Sequence, residues 1–174
     1  MKSNSIDPAI SQPRVLRQVK MLLVIFMVCL AVSGLTAFPI EWQLNLAHAW
    51  VVEQDWNNGV AQWLERVYLG VHETYGRYPF IAYGTDWLAF AHLVIAVAFV
   101  GPWRDPVRNV WVVEFGMIAC VAILPLAFIA GPVRGIPLFW QLIDCSFGVI
   151  GLLLLWVCKR KIALLEKLAP YKPD

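Results

Sequence analysis

"FWQLIDCSFGVIGLLLLW", residues Phe139 to Trp156, is apolar enough and long enough to be a membrane-spanning helix. Asp144 interrupts it, with Gln141 one turn earlier. An ionisable group in a bilayer helix is costly and turns inward toward a partner. By helical periodicity Gln141, Asp144, Gly148 and Gly151 share one face, and small residues let neighbouring helices approach closely. The stripe is therefore expected to face a bundle interior.

Composition agrees. Of the 174 residues, 60% are hydrophobic and only 15% charged, with mean hydropathy +0.64. Ordinary soluble domains hold about 45–50% apolar and 25% charged residues. A net charge of +2 without a basic stripe gives no footprint for nucleic acid. The four cysteines sit in or beside apolar runs, without a C-x-x-C, and read as packing residues. Most of the nine tryptophans lie near run ends or between the first two runs, where amphipathic rings favour the headgroup level.

Working outward, three more runs reach the roughly 20 residues a hydrocarbon core requires. The expected spans are Met21–Phe38, Ala82–Val100, Val110–Ala130 and Leu138–Cys158. The first reads as a retained anchor, since "AVSGLTAFP" is a poor cleavage site. Lys2, Arg14, Arg17 and Lys20 precede it; Arg104 and Arg108 lie in "GPWRDPVRN"; Lys159, Arg160, Lys161, Lys167 and Lys172 follow the last span. The opposite side is acidic, with Glu41, Glu53, Asp55, Glu65, Glu73 and Asp86 against Arg66 and Arg77. The positive-inside rule then places both termini in the cytoplasm of a cell whose inner membrane holds the protein. The expected organisation is a cytoplasmic segment 1–20, a four-span region 21–158 with an outer loop 39–81, and a cytoplasmic tail 159–174 ending in a frayed "APYKPD".

Within the outer loop, Val60, Trp63, Leu64, Val67, Tyr68, Val71 and Tyr75 recur at helical spacing, with Asn57 or Asn58 as cap and Gly76 as stop. This predicts an amphipathic helix on the membrane surface or over the bundle. The fold class expected is all-α: four transmembrane helices in an antiparallel bundle plus an outer-side amphipathic helix. The layout is similar to that of the EXPERA family of sterol isomerases and related binders, in layout alone; no residue role is carried over.

Five polar residues are candidates for ligand contact: Gln141, Asp144, His92, Glu114 and Arg134. His92 lies about two turns inside the second span, with Thr85 on its face. Arg134 precedes the fourth span on the same side, so both are candidate partners of Asp144. Glu114 lies about one turn in from the cytoplasmic side, within reach of Arg108 or Arg104. Each has a structural alternative in ion pairing or helix packing, and Asp86, outside these five, reads as a cap or first-turn acid of the second span. His72 is expected on a solvated face, and His48 is unplaced. No H-E-x-x-H or Glu-x-x-His spacing marks a metal site, no bis-histidine pair marks a haem, and no cofactor is expected. No paired inverted halves mark a transporter.

Two readings of function remain, with enzymatic activity open. One is a membrane protein with an outer-half polar pocket for a lipid or other lipophilic small molecule. The alternative is a non-catalytic accessory subunit of a larger membrane complex, whose partners would be other membrane subunits.

Overall fold

The computed structural model describes residues 8–168. The order is α1 (Pro8–Ala37), α2 (Ile40–Glu53), α3 (Gly59–Arg77), a 3-10 turn (Pro79–Ile81), α4 (Ala82–Ala98), α5 (Val100–Arg104), α6 (Val110–Val133) and α7 (Leu138–Leu168). No strand occurs among the described residues. Four stretches are long and apolar enough to cross a membrane: Gln12–Ala37, Pro79–Arg104, Val110–Val133 and Leu138–Leu168. The chain is a small, all-α, multi-pass membrane protein, as the four apolar runs require.

Both outer helices overrun their expected ends. α1 is already helical at Pro8, so most of segment 1–20 is a helical stem rather than a separate piece. α7 continues through Leu168 because Ile162 and Leu165 extend its buried stripe beyond the apolar run. Residues 1–7 and the "APYKPD" tail lie outside the described residues.

The helices fall into two units, residues 8–28 with 96–168 and residues 29–95. In the first, α6 and α7 form an antiparallel pair. The buried positions of α7 are Gln141, Cys145, Gly148, Leu155, Cys158, Ile162 and Leu165. Their steps of three, four and seven residues follow a coiled-coil seam. Small residues set the spacing. A Cβ on Gly148 would stand 2.7 Å from the Cys120 carbonyl oxygen, and one on Gly116 2.7 Å from the fully buried Phe99 ring. α1 joins through Phe26, whose ring centroid is 4.7 Å from that of Phe99. Lys161 Nζ donates to Gln18 Oε1 at 2.8 Å, and Lys20 lies over the Trp103 ring. Three cysteines, Cys120, Cys145 and Cys158, are buried as expected. Cys29 is exposed on α1, where a small weakly polar side chain is compatible with lipid.

The "GPWRDPVRN" connection is less bare than a tight turn. Residues 100–104 form α5, and Asp105 Oδ1 then accepts the Arg108 backbone N–H. Asn109 Nδ2 donates back to the carbonyls of Gly101 and Asp105. "GPVRGIP" does close as a turn. Gly135 takes φ +68°, Ile136 N–H donates to the Gly131 carbonyl, and Gly135 N–H donates to that of Pro132. This double bond pattern is the Schellman ending of α6.

In the second unit, α3 forms where its apolar period predicted. Asn58 caps it, its side-chain oxygen accepting from the N–H groups of Val60 and Ala61 at 3.0 Å. Segment 39–58 departs from the expectation of a loop. It contains α2, which packs antiparallel against α3. Asp55, with φ 51°, makes the reversal between them. α1 and α4 approach at Gly34, where a Cβ would meet the Ala89 carbonyl oxygen at 2.7 Å and His92 Cβ at 3.0 Å.

Candidate functional site

Gln141 and Asp144 occupy the first two turns of α7, just after the "GPVRGIP" turn. Gln141 is buried. Its amide lies against Gly131, where a Cβ would be 2.7 Å from Gln141 Cδ, and its Nε2 donates to the Ile136 carbonyl at 2.8 Å. The amide therefore locks the turn that joins α6 to α7. The glycine leaves the space, and the side chain fills it while satisfying a backbone acceptor.

Asp144 stands three residues on, at the edge of the buried stripe, half-buried. It has no hydrogen-bond or ion-pair partner among the described residues of its own unit. Arg134, the residue that ends α6, is exposed and makes no ion pair with it. Further along the same edge Gly151 faces Cys120 Sγ and Phe26. The small-residue stripe thus faces the helix packing at Gly148 and Gly151, as expected, while the carboxylate sits beside that packing rather than within it.

Glu114 lies at the opposite end of α6. Its carboxylate pairs with Lys159 Nζ at 2.9 Å, joining α6 to α7. This interhelix partner was not among the arginines considered from sequence. Antiparallel pairing makes it legible afterwards: Gln141 lies against Gly131 and Gly148 against Cys120, so the same counting brings position 159 near position 114. Glu114 is thus engaged at a site remote from Gln141 and Asp144.

His92 belongs to the other unit. Its Nδ1 lies 2.8 Å from the Leu88 carbonyl. A carbonyl only accepts, so Nδ1 donates in this contact. His92 Cβ also packs at the Gly34 approach. Thr85 is taken up by Tyr75, oxygen to oxygen at 2.6 Å, which ties α3 to α4.

The hairpin of α2 and α3 carries a polar aromatic column that sequence reasoning did not assemble. His48 stacks on Tyr68 at 4.1 Å between centroids, and Tyr68 stacks on His72 at 5.5 Å. His72 Nδ1 reaches Glu41 Oε1 at 3.3 Å, with both side chains largely exposed. The signal was present: Ile40, Leu44, Ala47 and Val51 recur at helical spacing, and Glu41 lies two turns before His48. Beside this column a cleft of ≈ 300 Å³ is lined by His48, Asp55, Trp56, Gln62 and Glu65, among others. Among the described residues no three His, Cys, Asp or Glu side chains gather as a metal site needs.

A second concavity of ≈ 300 Å³ lies between the end of α1 and α4, lined by Phe38, Tyr83, Asp86, Trp87 and Phe90. Asp86 was expected as a cap or first-turn acid of the second span. It stands instead in the fifth position of α4, because the helix starts at Ala82, after the turn Pro79–Ile81. No first-turn acid is present there.

Comparison with known proteins found no matching family model, no matching curated protein and no matching solved structure.

Proposed function

We propose that this protein holds a lipophilic molecule through its polar head, in the outer half of the cytoplasmic membrane, with both termini in the cytoplasm. The observation that carries the reading is Asp144: a half-buried carboxyl in a membrane span, with no partner in its own unit. An ionisable group inside a membrane span is costly, and such groups persist where something engages them. Gln141 does not compete for the role of anchor, because its amide is engaged by the turn. The Lys/Arg asymmetry of the connections supports the orientation.

The test is extraction of the purified protein and analysis of the small molecules it retains, for the wild type and Asp144→Asn. The expected result is one lipophilic species retained near one equivalent and reduced at least fivefold in the variant. Identical extracts from folded wild type and variant would sink the reading.

An accessory-subunit role draws on a different observation. Only 11% of the most apolar window of the stretch Pro79–Arg104 is buried, which leaves apolar surface there for lipid or another chain. A stoichiometric protein partner after mild-detergent purification supports that role. A chain that always purifies alone opposes it.

A further inference from the structure

The groove at the end of α1 combines three properties that ordinary lipid-facing helix surface lacks. It is concave, nearly all of its lining is aromatic, and it contains one carboxylate. Tyr83, Asp86, Trp87 and Phe90 fall at i, i+3, i+4 and i+7 on α4, which puts them on one face. Phe38, just past the end of α1, closes the other wall. Tyr83 meets Trp87 edge to face at 6.0 Å, and Trp87 meets Phe90 the same way at 5.8 Å. Successive rings stand at interplanar angles of 82° and 90°.

Asp86 is half-buried, with no hydrogen-bond or ion-pair partner among the described residues of its unit. Neither capping nor internal pairing explains it. The stretch long and apolar enough to cross a membrane begins at Pro79. Seven residues of helical rise place Asp86 about 10 Å further along. Helical side chains lean toward the helix N-terminus, so the carboxylate is directed back toward the nearer interface. At the interface it leans toward, the abundant cations are the ammonium groups of phospholipids. Aromatic faces attract an ammonium ion through the ring quadrupole, and a carboxylate supplies the opposite charge. The remaining aromatic wall suits a glycerol backbone and the start of an acyl chain.

We propose that the Phe38/Tyr83/Asp86/Trp87/Phe90 groove is a binding site for the headgroup of an ammonium-bearing phospholipid, with Asp86 as the counter-charge. The site is separate from Asp144 and stands whether or not Asp144 holds a ligand.

The experiment compares lipid retention by the purified full chain in native mass spectrometry. The probes are phosphatidylethanolamine, phosphatidylcholine and phosphatidylglycerol with identical acyl chains at equal concentration. The expected result is at least threefold greater retention of both ammonium lipids than of phosphatidylglycerol. Asp86→Asn removes the preference, Asp86→Glu keeps it, and Trp87→Leu lowers retention of both ammonium lipids. Asp144→Asn leaves the preference intact, which separates this site from the proposed lipophile site. Equal retention of the three lipids by the wild type would overturn the proposal without any variant. So would a preference that survives Asp86→Asn, or a copurifying basic protein whose loss in Asp86→Asn is unaccompanied by any change in lipid retention.

Discussion

Gln141 and Asp144 are one turn apart and looked equivalent in the sequence, yet the structure separates them. Gln141 is committed to the backbone of the α6–α7 turn through Ile136, whereas Asp144 has no such tie. Periodicity placed both on one stripe, but it carries no information about a carbonyl freed by a turn five residues away. Replacing Gln141 by Met keeps the volume and strands the Ile136 acceptor. Thermal unfolding in detergent should show a loss of about 1 kcal/mol. Glu114 and Lys159 are each nearly half exposed, with side-chain accessibilities of 45% and 43%. A double-mutant cycle with Glu114→Gln and Lys159→Met should return a coupling of about 0.5 kcal/mol, fading as salt is added. A coupling above about 2 kcal/mol would mean the pair is far better shielded than its exposure indicates.

Helices differ in how plainly the sequence announced them. α3 was legible in its start and its faces, because an apolar stripe, a cap and a polar opposite face all agree, and Asn58 is the cap observed; Gly76 was expected to stop it, but the helix runs on to Arg77 and ends at Tyr78. Asn58→Ala should cost about 1 kcal/mol in thermal unfolding of the full chain in detergent. α2 was not read although its apolar period was present, because its apolar residues do not keep to one face and none of them is buried. Its contacts come from the neighbouring hairpin arm, and a long acidic connection between spans looks like loop when read alone. Glycine shows the same contrast within elements. Gly148 lies against the Cys120 backbone, so Gly148→Ala must push α6 and α7 apart, costing about 1–3 kcal/mol. A methyl group added at Gly70 on α3 would have nothing within 4 Å, so Gly70→Ala should stabilise by about 0.5–1 kcal/mol. Unfolding midpoints of the two variants moving the same way would contradict this packing.

For the whole molecule, four apolar runs were enough to establish the class and the number of crossings, because a bilayer admits few other solutions. The candidate site was legible only as residue types. Asp144 could be singled out by its surroundings, while the pairing of Glu114, the tie on Gln141 and the groove around Asp86 depend on which helix lies beside which. The orientation expected from Lys and Arg has its own check: a reporter fused after Asp174 that is active only outside the cytoplasm should stay silent. A further consequence comes from the unbroken ends of α1 and α7. α7 has 31 residues, so it runs about 46 Å, well beyond a hydrocarbon core of roughly 30 Å. Its projecting stem is kept in phase with the stem of α1 by the Lys161–Gln18 bond and by the buried Val15, Val19, Ile162 and Leu165. A folded module spliced in helical continuity after Leu168 would therefore inherit a defined azimuth about the membrane normal. Each residue added at the splice would turn it by about 100° and lift it by about 1.5 Å, like a pointer advanced on a threaded shaft.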